Sequence, residues 1–275
     1  MYRIFLGRVN VRSWPDPHRR ALALFHAFLH VGRGSEVQEH KKFFGELTSA
    51  LSEYEVDSSS PVGDSEVSAS FRLASSVAEK RNFKVYGSRS GCFFALDVDR
   101  QWISVAVPNE TEPRAAASNV EGFFRELMGG REGAGGISLS VDLVSAPGSV
   151  IKSLDEMTPL VKLELTIRLP NDHRSLYEAI ADMARYGEYI RDERYYNKRG
   201  LWMTRAEAER LDSEASRGRI DVRAVSANDD IYDSRDNPAE FEPSFTVTGE
   251  RVAIALLLAL VWLAERWPSG GSGSA

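Results

Sequence analysis

Thirteen consecutive apolar residues, Val252-Ala-Ile-Ala-Leu-Leu-Leu-Ala-Leu-Val-Trp-Leu-Ala264, constrain this chain more than any other feature. As a helix the run spans about 20 Å, well short of the roughly 30 Å of hydrocarbon in a bilayer. Glu250-Arg251 before it and Glu265-Arg266 behind it would have to enter the membrane to lengthen it. No transmembrane segment is therefore expected. A helix apolar on every side must be covered by something. The run is either a buried core helix or a helix that seals a contact with a protein partner or a second copy.

The rest of the composition leaves room for such a core. At 275 residues the chain is long enough for one large or two modest domains, and long enough to fold without disulfide or metal staples. Its net charge of −6 argues against a surface that grips nucleic acid everywhere, but not against a local basic face. The single cysteine, Cys92, excludes an intramolecular disulfide and a cysteine-cluster zinc site. A reducing, cytoplasmic setting is expected. Met1–Val9 lacks the layout of a signal peptide and alternates like a strand. Ser269–Ala275 has the composition of a flexible linker joined to an affinity tag.

Along the chain, helical spacing predicts helices over 18–31 and 36–54, and alternation predicts a strand over 67–73. Phe83–Tyr86, Cys92–Asp97 and Trp102–Val107 are β-rich runs broken by turn residues, the pattern of a three-stranded antiparallel meander. A helix over 117–128 follows, then the glycine-rich 129–136, then strands over 137–144 and 160–169. The second of these has the cleanest period of two in the chain. Asn171 or Asp172 caps a helix running to about Ile190, and Thr204-Arg-Ala-Glu207 is a capping-box pattern. Arg219–Val225 reads as a strand, and Asn228–Pro243 as an acidic, structureless loop. The expected fold is α+β, with antiparallel sheets, interleaved helices and an apolar C-terminal helix. Two domains are expected, 1–128 and 137–268, with the glycine-rich segment between them.

No set of residues identifies a catalytic centre, and neither a cofactor nor a metal site is expected. His26 and His30 share a helix face, with His40, Glu36 and Glu39 as the only nearby candidates to complete a metal set. Partly buried helix histidines explain the pair as well. Arg20 and His26 resemble the Arg–His spacing of HEPN ribonucleases, as do Arg12 and His18, but Ala21 stands where that motif carries a polar residue. Glu39-His-Lys41 satisfies half of a PD-(D/E)xK nuclease motif on a predicted helix, where that motif wants a strand. The acidic loop offers Mg²⁺ carboxylates, or is simply solvated. The glycine segment lacks the Lys-Ser/Thr ending of a P-loop.

The most suggestive surface is Arg191-Asp-Glu-Arg-Tyr-Tyr-Asn-Lys-Arg-Gly-Leu-Trp-Met-Thr-Arg205. Cations neutralise phosphates and aromatic rings stack on unpaired bases, so Arg191, Arg194, Tyr195, Tyr196, Lys198, Arg199 and Trp202 are the expected contact residues. Three readings stay open. The segment is a nucleic-acid surface, a protein-partner face, or a solvated helix end whose aromatics enter the core.

From Phe93-Phe-Ala-Leu-Asp-Val-Asp-Arg-Gln-Trp-Ile-Ser-Val-Ala-Val107 through the helix 120–127 to Val161-Lys-Leu-Glu-Leu-Thr-Ile167, the order of elements resembles the RexA-like phage-exclusion proteins. The resemblance implies a component of bacterial anti-phage defence that binds DNA and communicates with a membrane partner. It supplies no catalytic residues. The sequence therefore points to a non-enzymatic recognition protein that binds nucleic acid or a protein partner and self-associates through Val252–Ala264. A His- or metal-dependent nuclease effector and a scaffold or immunity-like subunit without nucleic-acid contact are the alternatives.

Overall fold

The computed structural model of the chain describes residues 1–12, 43–44, 83–88, 93–97, 100–127, 138–157, 159–168, 190–248 and 251–266. The helix expected over 18–31, the strand over 67–73 and the helix expected over 172–190, except for Ile190, which opens a strand, lie outside these residues, as do His26, His30, Arg20 and Cys92. Within the second expected helix, Phe43–Phe44 is instead a short strand. The fold is mixed α+β with antiparallel sheets.

Contacts divide the chain into two compact units, Met1–Asp142 with Glu240–Ala275, and Leu143–Ala239. The apolar helix, which sequence order assigns to the C-terminal domain, is thus part of the first unit. Sequence order does not say which sheet an apolar surface will cover.

The first unit is built on a seven-stranded sheet. Its strands are β1 (Tyr2–Arg12), β2 (Phe43–Phe44), β3 (Phe83–Ser88), β4 (Phe93–Asp97), β5 (Trp102–Pro108), β6 (Ser138–Leu143) and β11 (Glu240–Phe241). The order is β11-β1-β5-β4-β3-β2, with β6 also paired to β1. The expected meander is β3-β4-β5, paired antiparallel throughout. Helix α1 (Pro113–Leu127) opens on proline, which is pre-set for a first helical position.

Strands β1 and β5 are apolar on consecutive residues, Ile4-Phe5-Leu6 and Val105-Ala106-Val107, and all of these are buried. Such runs require cover on both faces of the sheet. Cross-strand partners show where each cover lies. Phe94, Val105 and Phe5 form one row, and Phe94 meets Phe124 of α1 with ring centroids 5.6 Å apart. The neighbouring row, Ala95, Ser104 and Leu6, points the other way. There the Ser104 hydroxyl donates 2.8 Å to the Leu256 carbonyl of the apolar helix, α4 (Arg251–Arg266). Helix α4 packs on β1, β3, β4 and β5. Its cover is its own sheet, and no second copy is needed to bury it. Leu258 and Trp262 are its half-buried apolar positions. No helix among the described residues is long and apolar enough to cross a membrane.

The second unit contains α2 (Ser149–Glu156), β7 (Leu160–Arg168), β8 (Ile190–Leu201), α3 (Arg205–Ser216), β9 (Ile220–Ser226) and β10 (Ile231–Asp233). Its antiparallel sheet runs β10-β9-β7-β8. Here the strands alternate strictly: Ile220, Val222 and Ala224 are buried while Asp221, Arg223 and Val225 are not. Alternation of this kind means one covered face. Leu163, Leu165, Val222 and Ala224 pack with Val150 and Leu154 of α2 and Ala208, Leu211 and Ala215 of α3. The predicted capping box opens α3, with Glu207 N–H donating to Thr204 Oγ1 and Thr204 N–H to Glu207 Oε2. Helix α2 follows Gly148, at φ +83°, and has no cap of its own. Asp212 of α3 reaches across to accept from Gly148 N–H at 2.9 Å and Val150 N–H at 3.1 Å.

The acidic segment 228–243 is not structureless. It forms β10, one 3-10 turn and β11. Its acids are used locally: Asp233 accepts from the backbone and side chain of Arg235, and Glu240 pairs with Arg3 at 2.8 Å.

Candidate functional site

The basic-aromatic segment is strand β8, which among the described residues is the edge of the second sheet and pairs only to β7. Register assigns its residues to faces. Tyr195 pairs with Leu163, on the helix side, while Arg194 and Tyr196 pair with Glu164 and Lys162 on the opposite, open face. Arg191 lies opposite Ile167. The aromatics do not enter the core, contrary to the reading of this segment as a helix end. Tyr195 is 47% exposed, Tyr196 63% and Trp202 99%. The Tyr195 hydroxyl donates 2.7 Å to Glu193 on its own strand.

Lys198 and Arg199 occupy a bulge. Tyr196 pairs with Lys162 and Leu201 with Leu160, so Asn197–Gly200 loops out opposite the single residue Val161. Two features hold the loop. Asn197 Oδ1 accepts from Arg199 N–H at 3.0 Å. Gly200 adopts φ +102°, a conformation side chains resist. Bulges and charges of this kind also keep an edge strand from adding foreign strands. Lys198 and Arg199 are exposed and have no acidic partner among the described residues.

The open face behind them carries alternating charge. Arg194, Glu164, Arg223 and Asp233 form one row across four strands. Glu164 lies 3.1 Å from Lys162, 3.0 Å from Arg223 and 3.4 Å from Arg194. Beside this row, Asp192 accepts from the Thr166 hydroxyl at 2.8 Å, with Asp221 on the far side of Thr166. The rows line a shallow hollow of about 230 Å³ that Arg235 also borders. The acids and arginines here answer one another, so the hollow offers neither a bare anion site nor a bare cation site. Among the described residues no group of three or more His, Cys, Asp or Glu is placed to hold a metal.

Lys162, and then Arg223, hold the Glu164 carboxyl below its ordinary range, against the opposing effect of burial. The stability this contributes is complete above the unfolded value of about 4.3. It is lost as pH falls through the lower folded value. Urea midpoints measured against pH are expected to show a shallower acid limb below about pH 4 in Glu164→Gln than in the parent. Superimposable limbs would mean that the charge row contributes nothing.

Of the seven expected contact residues, Arg191 is placed only by its pairing with Ile167; of the other six, Arg194, Tyr196 and Trp202 belong to the open side, Tyr195 to the helix side, and Lys198 and Arg199 to the bulge. Only Asn197 and Gly200, both turn residues, mark the bulge in the residue pattern. Comparison of the chain with protein families, curated proteins and solved structures returns no match.

Proposed function

We propose that this chain is a non-enzymatic recognition component of the kind used in anti-phage defence or phage exclusion, and that it contacts nucleic acid through β8 and its bulge. The observation that carries this reading is Trp202, 99% exposed, just past the end of β8 and two residues beyond a loop bearing two adjacent cations without acidic partners among the described residues. An exposed indole offers a flat ring face on which an unpaired base can stack. Adjacent cations fit phosphates, whose contacts supply most of the affinity for nucleic acid. The defence role rests on the RexA-like order of elements over 93–167.

A protein partner is the competing reading, since Arg, Tyr and Trp also concentrate at protein interfaces. Charge separates the two. Three cations, Arg194, Lys198 and Arg199, lie within six residues that contain no acid. Self-association through α4 is a separate proposal, and it would have to use the half-buried Leu258 and Trp262.

Filter binding of the full chain to RNA, single-stranded DNA and duplex DNA tests the reading. The parent is expected to retain at least one of the three. Lys198→Ala/Arg199→Ala is expected to weaken retention about tenfold, roughly a phosphate contact for each cation lost. Retention identical in parent and double variant would remove the nucleic-acid reading. Nucleic acid cleaved during the incubation would favour a nuclease instead.

A further inference from the structure

We infer that the β8 site takes a short single-stranded segment, with bases stacked on Tyr196 and Trp202 and its backbone drawn to Lys198 and Arg199. This rests on the nucleic-acid reading above and deepens it. The bulge makes the geometry. In an unbroken strand, the six positions from Tyr196 to Trp202 would cover about 20 Å. The β7 partners of Tyr196 and Leu201, Lys162 and Leu160, are only two positions apart. Across β9 the same two β7 residues pair with the adjacent Ser226 and Val225, so β7 is itself irregular at Val161 and the ladder advances by less than two regular steps. Tyr196 and Trp202 are thereby drawn to within about 10 Å of each other. The loop carrying both cations projects from between them.

Alternation puts the two rings on one side. Leu201 and Met203 pack against the core beneath α2 and α3, so Trp202 between them turns outward. Tyr196 shares the outward face with Lys162. Stacked bases lie about 3.4 Å apart, so a gap of up to about 10 Å holds at most about three base steps, a segment of no more than roughly four nucleotides.

A duplex fits less well. Its base faces are hidden, leaving the rings nothing to stack on. It also carries a phosphate charge every 1.7 Å or so of axis, and would lay that charge against Asp192, Glu164, Asp221 and Asp233 on the same face. A short single strand can meet two cations and two rings without covering that face.

Fluorescence anisotropy with labelled oligothymidylate of about 15 nucleotides, and with a duplex of equal length, tests the inference on the full chain. The oligothymidylate is expected to bind at least about tenfold more tightly than the duplex. Tyr196→Ala and Trp202→Ala are each expected to weaken it about tenfold while leaving the weaker duplex binding unchanged. Both side chains are exposed, and the variants should keep the parent melting temperature. Duplex binding as tight as oligothymidylate binding, or aromatic variants that bind oligothymidylate like the parent, overturns the single-strand inference and leaves the nucleic-acid reading standing. No saturable binding of either probe overturns both.

Discussion

Leu257→Ala is expected to cost about 3 kcal/mol of stability, within the range of 2–5 found for large-to-small changes in packed cores. Leu257 is fully buried in α4. Truncation removes apolar area already withdrawn from water and leaves a cavity that rigid neighbours fill only in part. The neighbouring Leu258, half-buried on the same helix, serves as the control, and Leu258→Ala is expected to cost less than about 1 kcal/mol. Urea denaturation of both variants at several protein concentrations checks the account. If the sheet of the same chain covers the helix, the difference between the variants does not depend on concentration. A midpoint that rises with concentration would show that a second chain supplies the cover.

In the second unit the largest effect is expected at Tyr232. Its ring is buried among Leu163, Ala224 and the α2 and α3 residues, and its hydroxyl is 3.1 Å from Ser149 Oγ. Tyr232→Ala is expected to cost about 3–5 kcal/mol, as for other buried aromatics. Tyr232→Phe keeps the packing and loses the hydrogen bond, for about 1 kcal/mol. Denaturation of the pair separates the two contributions, and equal costs would show that the hydroxyl, not the ring, matters. Burial raises the Tyr232 hydroxyl pKa, the Ser149 and Ser145 hydrogen bonds only partly opposing it. The unfolded chain therefore releases this proton first, and stability should decline as pH rises past about 10. That decline should be smaller in Tyr232→Phe.

How much of this was legible depends on where each element finds its partners. The β3-β4-β5 meander, β7, β9 and the α3 capping box could be read directly, because their signals lie within a few residues. Helix α2 could not, since its cap is Asp212, more than 60 residues downstream. Strand β8 was hidden for a different reason. An edge strand packs few side chains, so Arg-Asp-Glu-Arg-Tyr-Tyr carries no apolar alternation, and among the described residues its pairing comes from β7 alone. The acidic segment misled in the same way. Its order comes from Asp233 with Arg235 and from strand pairing with β9 and β1, neither visible in composition.

As a string of residue types, the seven contact residues carry no information about faces. Pleat and bulge sort them into faces, and the sorting leaves Tyr196, Lys198, Arg199 and Trp202 together while setting Tyr195 apart. Period-two spacing gives such a partition only once the strand is known to be a strand. The net charge of −6 is an average over the whole chain and does not show this local arrangement. Acids on the open face answer arginines, whereas the two cations on the bulge have no acidic partner among the described residues.

The salt dependence of binding tests this account most directly. Anisotropy isotherms of the full chain with labelled oligothymidylate, collected between about 50 and 200 mM salt, give the slope of log affinity against log salt. Binding that weakens with salt, with a slope shallower by about one to two in Lys198→Ala/Arg199→Ala, is the expected result. A slope unchanged by the double substitution, or no saturable binding at low salt, would contradict it.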